Sequence, residues 1–380
     1  MDITNKECCG CGLCTSVCPK ACISMKLNDE GFYYPSIDES VCIKCSLCSK
    51  HCPLNNEDKN KPSLEYECFY AISADSDNVL KSSSGGIFSL LAKKTLSDNG
   101  VVVGAAFDDN FNVEMKIVDN LSKLNTLMQA KYVQSTLPTE LYKKIKTILS
   151  TNQKVLFTGT PCQIAALKSY LSTDTYDNLL CAELICHGVP SPGVWQSYLK
   201  YLTNKTNQPI KEIFFRDKKN GWHDFALTIK HESTELSESH KKSPYMQLFL
   251  KDIISRNSCS SCSFKGGRSG ADLSLGDFWK LSKIAPKLDN NTGASMVIVH
   301  SEKGKDLIES CNFSVLKKFD NNCINISNRA FFSSIANNKL RKAYFSEFKS
   351  NNFNWFNPSK YITKPSSIQK IIKKIKNIFN

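Results

Sequence analysis

The chain opens with two copies of one cysteine spacing. Cys8, Cys11, Cys14 and Cys18 read C-x2-C-x2-C-x3-C and are followed by Pro19; Cys42, Cys45, Cys48 and Cys52 repeat the spacing and are followed by Pro53. Each cysteine of the second set lies 34 residues after its counterpart. A constant offset over four positions is the mark of an internal duplication. Three thiolates two residues apart wrap one corner of a [4Fe-4S] cubane on a tight turn. The fourth lies too far round to close the same cluster and ligates the other. Cys8, Cys11, Cys14 and Cys52 are therefore assigned to one cluster, and Cys42, Cys45, Cys48 and Cys18 to the second. A pair of zinc sites is the competing reading, but zinc favours two well-separated CxxC pairs. Cys9 and Cys22 fall outside the pattern and read as small buried residues.

This spacing is the two-cluster ferredoxin pattern, and it occupies residues 1–56. The rest of the chain is long enough for a larger domain: 380 residues in all, 41% hydrophobic and 22% charged, with 18 cysteines. No apolar run is long enough to span a bilayer, and Met1–Cys9 is too polar for a secretory signal. These features predict a cytoplasmic protein, in which cysteines serve as metal ligands or redox groups rather than disulfides. The formal charge of +13 is uneven, with 15 Lys/Arg against 5 Asp/Glu in residues 301–380. No nucleic-acid motif accompanies it, so nucleic acid is excluded as a partner.

A polar stretch, Asn55–Ser63, separates the ferredoxin part from the body. Strands are predicted at 68–74, 100–107, 155–157 and 179–185, and a hairpin at 213–216 and 225–230. The Ser82-Ser83-Ser84-Gly85-Gly86 loop leads into a helix from Ile87, and Thr158-Gly159-Thr160-Pro161-Cys162 joins a strand to a second helix. Strand, small-residue loop and helix N-terminus together make a natural anion site, although such turns also form simply as capped helix starts. The predicted fold class is α+β: a small ferredoxin-type domain (1–56), a larger mixed α/β domain (64–300), and a basic helical extension (301–380).

A further CxxC, Cys259–Cys262, taken alone reads equally as a zinc half-site or a dithiol. With Cys162 and Cys186, both at strand-to-loop turns, it makes four dispersed ligands, enough for a third [4Fe-4S] cluster. Cys181 is a weaker candidate, and Cys68, Cys311 and Cys323 read as ordinary thiols.

Ser82–Gly86, Lys131-Tyr132-Val133-Gln134-Ser135, Gly159-Thr160-Pro161-Cys162-Gln163, Cys186-His187-Gly188-Val189-Pro190-Ser191-Pro192, Phe215-Arg216-Asp217-Lys218, Gly221-Trp222 and Leu275-Gly276-Asp277-Phe278-Trp279 occur in that order. This series resembles the coenzyme F420 hydrogenase/dehydrogenase family of beta subunits over roughly residues 68–300. The resemblance implies an iron–sulfur flavoprotein with FAD. It places Ser83, Ser84, Gly85, Gly86, Lys131, Gln134, Ser135, Thr158, Gly159, Thr160 and Pro161 near the flavin, and it raises Cys162, Cys186, Cys259 and Cys262 to a cluster set. Similar fused chains accompany polysaccharide genes, which implies a sugar-linked substrate.

The expected function is a flavin-dependent iron–sulfur oxidoreductase, in which one-electron clusters meet a two-electron flavin and a small-molecule substrate. His187 is the candidate proton donor, and Lys131 and Arg216, with Lys218 and Arg268, are candidate charges beside flavin or substrate. The alternative is an electron-transfer subunit without its own substrate, docked to a partner enzyme; a redox protein is the donor or acceptor in either case. The absence of GxGxxG leaves a nicotinamide site without support. Near the end, Ile368, Ile371, Ile372, Ile375 and Ile378 line one face of a basic amphipathic helix. It would pack on the body or lie on the inner face of an anionic membrane.

Overall fold

The structure is a computed structural model that describes residues 7–55, 66–172, 174–356 and 358–362. Thirteen strands are found among these residues: β1 (Ile23–Leu27), β2 (Tyr33–Ile37), β3 (Glu67–Ser73), β4 (Val101–Phe107), β5 (Val113–Val118), β6 (Val155–Gly159), β7 (Leu179–Leu184), β8 (Ile210–Asp217), β9 (Ala226–His231), β10 (Glu235–Ser239), β11 (Leu273–Asp277), β12 (Ser295–Val299) and β13 (Phe313–Phe319). They form the β1–β2 hairpin, a three-stranded sheet β10-β9-β8, and an eight-stranded sheet β13-β3-β12-β11-β7-β6-β4-β5.

The centre of the large sheet is parallel: β4 pairs with β6, β6 with β7, and β7 with β11. These strands read as near-continuous apolar runs, Val101-Val102-Val103 and Val155-Leu156-Phe157, because helices cover both faces. Strands β5, β12, β3 and β13 are antiparallel additions. The body is thus a mixed α/β architecture with the sheet at its core. The helix Pro161–Leu171 starts directly after β6 with Pro161 at its first position. Its capping box has the Thr160 side chain accepting from the Gln163 amide and the Gln163 side chain accepting from Thr160 N–H.

Residues 301–362 belong to the packed body. Strand β13 forms an edge of the large sheet. The helix Leu340–Ser350 buries Tyr344, Phe345 and Phe348 in the same apolar cluster as Phe32 of the hairpin region and Trp195. The amphipathic helix expected beyond Ser367 lies outside the described residues. No helix among those described is long and apolar enough to cross a membrane.

The ferredoxin part is held to this body at defined points. Arg341 pairs with Glu30 through both guanidinium nitrogens and also donates to Ser255 O. Gly31 lies against the N-terminus of the helix Pro192–Thr206: Gly193 N–H donates to Gly31 O at 3.0 Å, and Ser191 Oγ donates to Glu30 O at 2.6 Å. Gly31 has φ +71°, and a β-carbon there would sit 2.7 Å from Gly193 Cα. The left-handed backbone alone costs an L-residue roughly 1–2 kcal/mol, and the clash separates two backbones. Gly31→Ala is expected to lower the unfolding midpoint by more than that backbone cost and to speed proteolysis of the β1–β2 hairpin. An unchanged midpoint would show that this contact does not hold the two parts together.

Candidate functional site

The two ferredoxin loops face different surroundings. Cys18, Cys42, Cys45 and Cys48 line one cavity, together with Cys22, whose Sγ lies 3.4 Å from Cys18 Sγ. The turn around them is open to solvent: Val41, Ile43, Lys44, Cys45 and Ser46 are all exposed. The other loop is covered. Cys11, Gly12 and Leu13 are buried, and Cys11 and Leu13 pack in an apolar cluster with Tyr142, Phe157 and Ile164 of the body. Cys52 and Cys8 are both close enough to Cys14 for their charges to push its thiol up, after the larger effect of burial, to about 12.

Arg256 fixes the covered loop. It is 1% exposed, donates to Cys8 O (2.7 Å), Tyr33 O (3.1 Å) and Gln134 Oε1 (3.0 Å), and stacks 4.0 Å from the Tyr34 ring. Gln134 in turn donates to Cys9 O, and Tyr142 Oη to Cys11 O. Gly10 is required here: with φ +73°, its β-carbon would sit 2.4 Å from Gln134 Nε2.

Directly behind this loop is a second thiol-lined pocket. Cys162, Cys186, Cys259 and Cys262 share it with Cys9, Glu7 and Leu54 of the ferredoxin part and with His187 and Lys265 of the body. Cys162 is in the first turn of the helix after β6, where backbone N–H groups and the helix dipole favour negative charge. Cys186 follows β7 by two residues, Cys259 lies within the 3-10 turn Asn257–Ser261, and Cys262 caps the end of that turn. Burial pushes the Cys186 thiol up to about 12 and raises Cys259 and Cys262, with the neighbouring thiols adding to the effect. Four buried thiolates need compensating positive charge. Lys265, 5% exposed, supplies one centre while donating to the carbonyls of Cys186 and Ala330. The donor set is all sulfur, as an iron–sulfur cluster requires. Among the described residues no three His, Cys or acidic side chains converge tightly enough for a single metal ion.

The residues assigned to a flavin make other contacts. Ser83 Oγ accepts from Ala130 N–H, Ser84 Oγ donates to Ala294 O, and Gly85 N–H donates to Ser295 Oγ. Gly86, at φ +80°, precedes the helix from Ile87. Lys131 Nζ donates to Met128 O and Gln129 O, and burial lowers it to about 7. Gln134 holds the ferredoxin loop, Ser135 Oγ accepts from Gln163, and Thr158 Oγ1 donates to Val103 O. Gly159 closes β6, and Thr160 and Pro161 start the next helix. Arg216 forms a bidentate pair with Asp277 at 2.9 and 3.0 Å and touches Tyr132 Oη. Lys218 Nζ ties down three carbonyls, those of Val79, Ser84 and Thr292. Trp222 and Trp279 stack on each other, 4.8 Å apart. His187 reaches Asp252 Oδ1 at 2.7 Å, and Asp252 Oδ2 accepts from Ala336 N–H. Of the flavin and proton-transfer candidates singled out by sequence, only His187, Thr160 and Pro161 line the four-thiol pocket. Arg256 and Lys265 were missed, and Cys9, read from the sequence as a small buried residue, lines the pocket and is only partly buried. The signal available for the first two was a cation next to an apolar run (Ile253-Ile254) or an aromatic (Phe264) flanking the CxxC.

Beside Lys265 and Cys262 lies Glu183, 1% exposed, accepting from Ser269 Oγ and from Ser274 Oγ. Desolvation raises its carboxyl from 4.5 to about 7. Between those values the folded chain keeps a proton that the unfolded chain has lost, so stability falls as pH rises. The loss is complete above about 7 and absent below about 4.5. Glu183→Gln is expected to stabilise the protein by about 3 kcal/mol near pH 8 and by progressively less toward pH 5, read from urea midpoints. A pH-independent difference would contradict a buried carboxyl of this kind.

Residues 152–319 match the family model that describes the C terminus of the coenzyme F420 hydrogenase/dehydrogenase beta subunit, and residues 7–56 match a 4Fe-4S dicluster domain. A subunit of the F(420)H(2) dehydrogenase of Methanosarcina mazei is 22% identical over 193 residues, 48% of this chain and 54% of that protein. An uncharacterized ferredoxin of Methanocaldococcus jannaschii is 36% identical over 53 residues, 14% of this chain and 68% of that one. The coenzyme F420-dependent sulfite reductase of the same organism is 28% identical over 171 residues, 44% of this chain and 25% of that protein. The chain thus spans about half the length of the matching dehydrogenase protein. A chain from the F420-reducing [NiFe] hydrogenase complex of Methanosarcina barkeri aligns over 77% of this chain and 92% of its own, with 16% identity and a TM-score of 0.45. These matches correct the expectation of a self-contained FAD enzyme with its own small-molecule substrate. The matching family is defined on a beta subunit, its coenzyme is F420 rather than FAD, and the matches support an iron–sulfur redox subunit. The polysaccharide link has no counterpart in them. The chain is an N-terminal 4Fe-4S ferredoxin domain fused to a C-terminal domain of the coenzyme F420 hydrogenase/dehydrogenase beta-subunit type.

Proposed function

We propose that this chain is an electron-transfer subunit that works docked to a partner enzyme. The observation that carries the reading is the opposite exposure of the two ferredoxin loops. Cys45 and its neighbours face solvent, whereas Gly10–Leu13 is buried against the body and Cys9 lines the four-thiol pocket. Cys8, Cys11, Cys14 and Cys52 would hold the inner cluster, Cys18, Cys42, Cys45 and Cys48 the outer one, and Cys162, Cys186, Cys259 and Cys262 a third centre in the body. Bound there, iron–sulfur clusters supply one-electron storage and transfer. The protein supplies the geometry. Arg256 and Gln134 hold the inner loop against the pocket, apolar side chains exclude water from the junction, and Lys265 and the N-terminus of the helix Pro161–Leu171 offset thiolate charge. The names of the relatives make coenzyme F420 the two-electron reactant of the assembly to test first.

Iron and acid-labile sulfide are to be counted on the anaerobically purified chain. About twelve irons per chain are expected, falling to about eight in Cys186→Ala and also in Cys259→Ala. Eight in the unsubstituted chain and in both variants would remove the third centre. The reduced chain alone is expected to pass electrons to one-electron dyes, and to exchange with F420 only when the partner enzyme is added. Steady turnover of F420 by the isolated chain would contradict the subunit reading.

A further inference from the structure

Outside the three thiol clusters lies a further pair of cysteines. Cys68, in β3, and Cys323, in the short helix Asn322–Ser327, are 255 positions apart in sequence, and their Sγ atoms are 3.5 Å apart. Both sit in an apolar cluster with Tyr70, Phe278, Ile324 and Phe331. Cys68 is fully buried and Cys323 is 6% exposed.

The location of Cys323 gives the pair its interest. Immediately after its helix, the chain hydrogen-bonds to residues that line or flank the four-thiol pocket. Ala330 O accepts from Lys265 Nζ at 2.8 Å, Phe331 O from Gly266 N–H at 2.7 Å, and Ser334 Oγ from Cys262 N–H at 3.1 Å. Ala336 N–H donates to Asp252, the partner of His187. Cys323 is therefore at the root of this segment, and Cys68 is in β3 against that root.

We propose that Cys68 and Cys323 form a redox-active dithiol, oxidised by hydrogen peroxide to a disulfide that staples the segment following Cys323 to β3. Cys323 sulfur attacks the peroxide: the S–O bond forms, the O–O bond breaks, and one water leaves. Cys68 sulfur then displaces hydroxide from the sulfenic acid: the S–S bond forms, the S–O bond breaks, and with the released proton a second water leaves. Two thiols lose two electrons and two protons, and the peroxide is reduced to two waters. The roles follow from access, because Cys323 keeps some exposure and Cys68 has none. Reaching the S–S distance of about 2.0 Å requires the helix Asn322–Ser327 to settle toward the sheet, which restrains the segment that follows it.

The test uses the full chain, purified anaerobically and treated with a small excess of hydrogen peroxide. Thiols are then alkylated and the digest is analysed by mass spectrometry. A linked peptide pair carrying Cys68 and Cys323, lost on reduction and absent in Cys323→Ser, is the expected result. With it, amide hydrogen exchange over residues 327–336 should slow several-fold in the oxidised chain and not in the variant. Alkylation of both cysteines as free thiols after peroxide treatment would overturn the pair. A linked peptide without slowed exchange would overturn the staple. Neither readout depends on electron transfer, so this proposal and the subunit reading fail independently.

Discussion

A buried guanidinium holds the molecule's two parts in register. Arg256 belongs to the body, yet its hydrogen bonds run to Cys8 O and Tyr33 O of the ferredoxin part and to Gln134, which itself holds Cys9 O. Removing it would leave these acceptors without their donor in a place water does not reach, at a cost of about 1–3 kcal/mol for each group left unpaired. The planar fork suits this task because it satisfies several carbonyls from one rigid group and stacks on Tyr34 at the same time. The Arg341–Glu30 pair, anchored on Ser255 O next to Arg256, and the Gly31–Gly193 backbone contact act at the same junction. Three attachments resist rotation of a small module in a way that one does not.

The consequence is electrostatic. One cysteine loop is pressed against the body, directly over a pocket that gathers four more thiols, and Cys9 lines that pocket from the ferredoxin side. Burial disfavours thiolates throughout this region, as the raised Cys14 and Cys186 show. The fold answers with Arg256, Lys265 and a capped helix start. Such a charge pattern suits the anionic clusters proposed for this site.

How much of this could be read from the chain depends on how local each signal is. The ferredoxin cysteines were legible because ligand spacing is dictated by the shape of the cluster over a few residues. The dispersed set Cys162, Cys186, Cys259 and Cys262 was visible only as candidates, and the tertiary fold brings them to one pocket. Strands β4, β6 and β7 were legible because parallel strands buried on both faces are apolar throughout. Strand β13 was not: only alternate side chains along most of it are even partly covered, and its Lys317 and Lys318 were counted into a basic extension. Arg256 and Lys265 were missed because a buried cation is defined by the carbonyls around it, which come from distant segments. The FAD expectation came from the family resemblance, and the matching family and relatives name coenzyme F420 instead. Ser, Thr and Gln at strand-to-helix turns suit a phosphate and a helix cap equally well, and here Thr160 and Gln163 are the cap.

The central claim, one ferredoxin loop facing inward and one outward, is tested most directly by relaxation enhancement. A soluble paramagnetic lanthanide chelate is added to the reduced full chain, and spin relaxation of each cluster signal is followed by EPR. The account predicts one signal strongly relaxed by the chelate and the other barely affected, with the strongly relaxed signal lost in Cys45→Ala. Equal enhancement of both signals would contradict it, because both loops would then lie equally close to solvent.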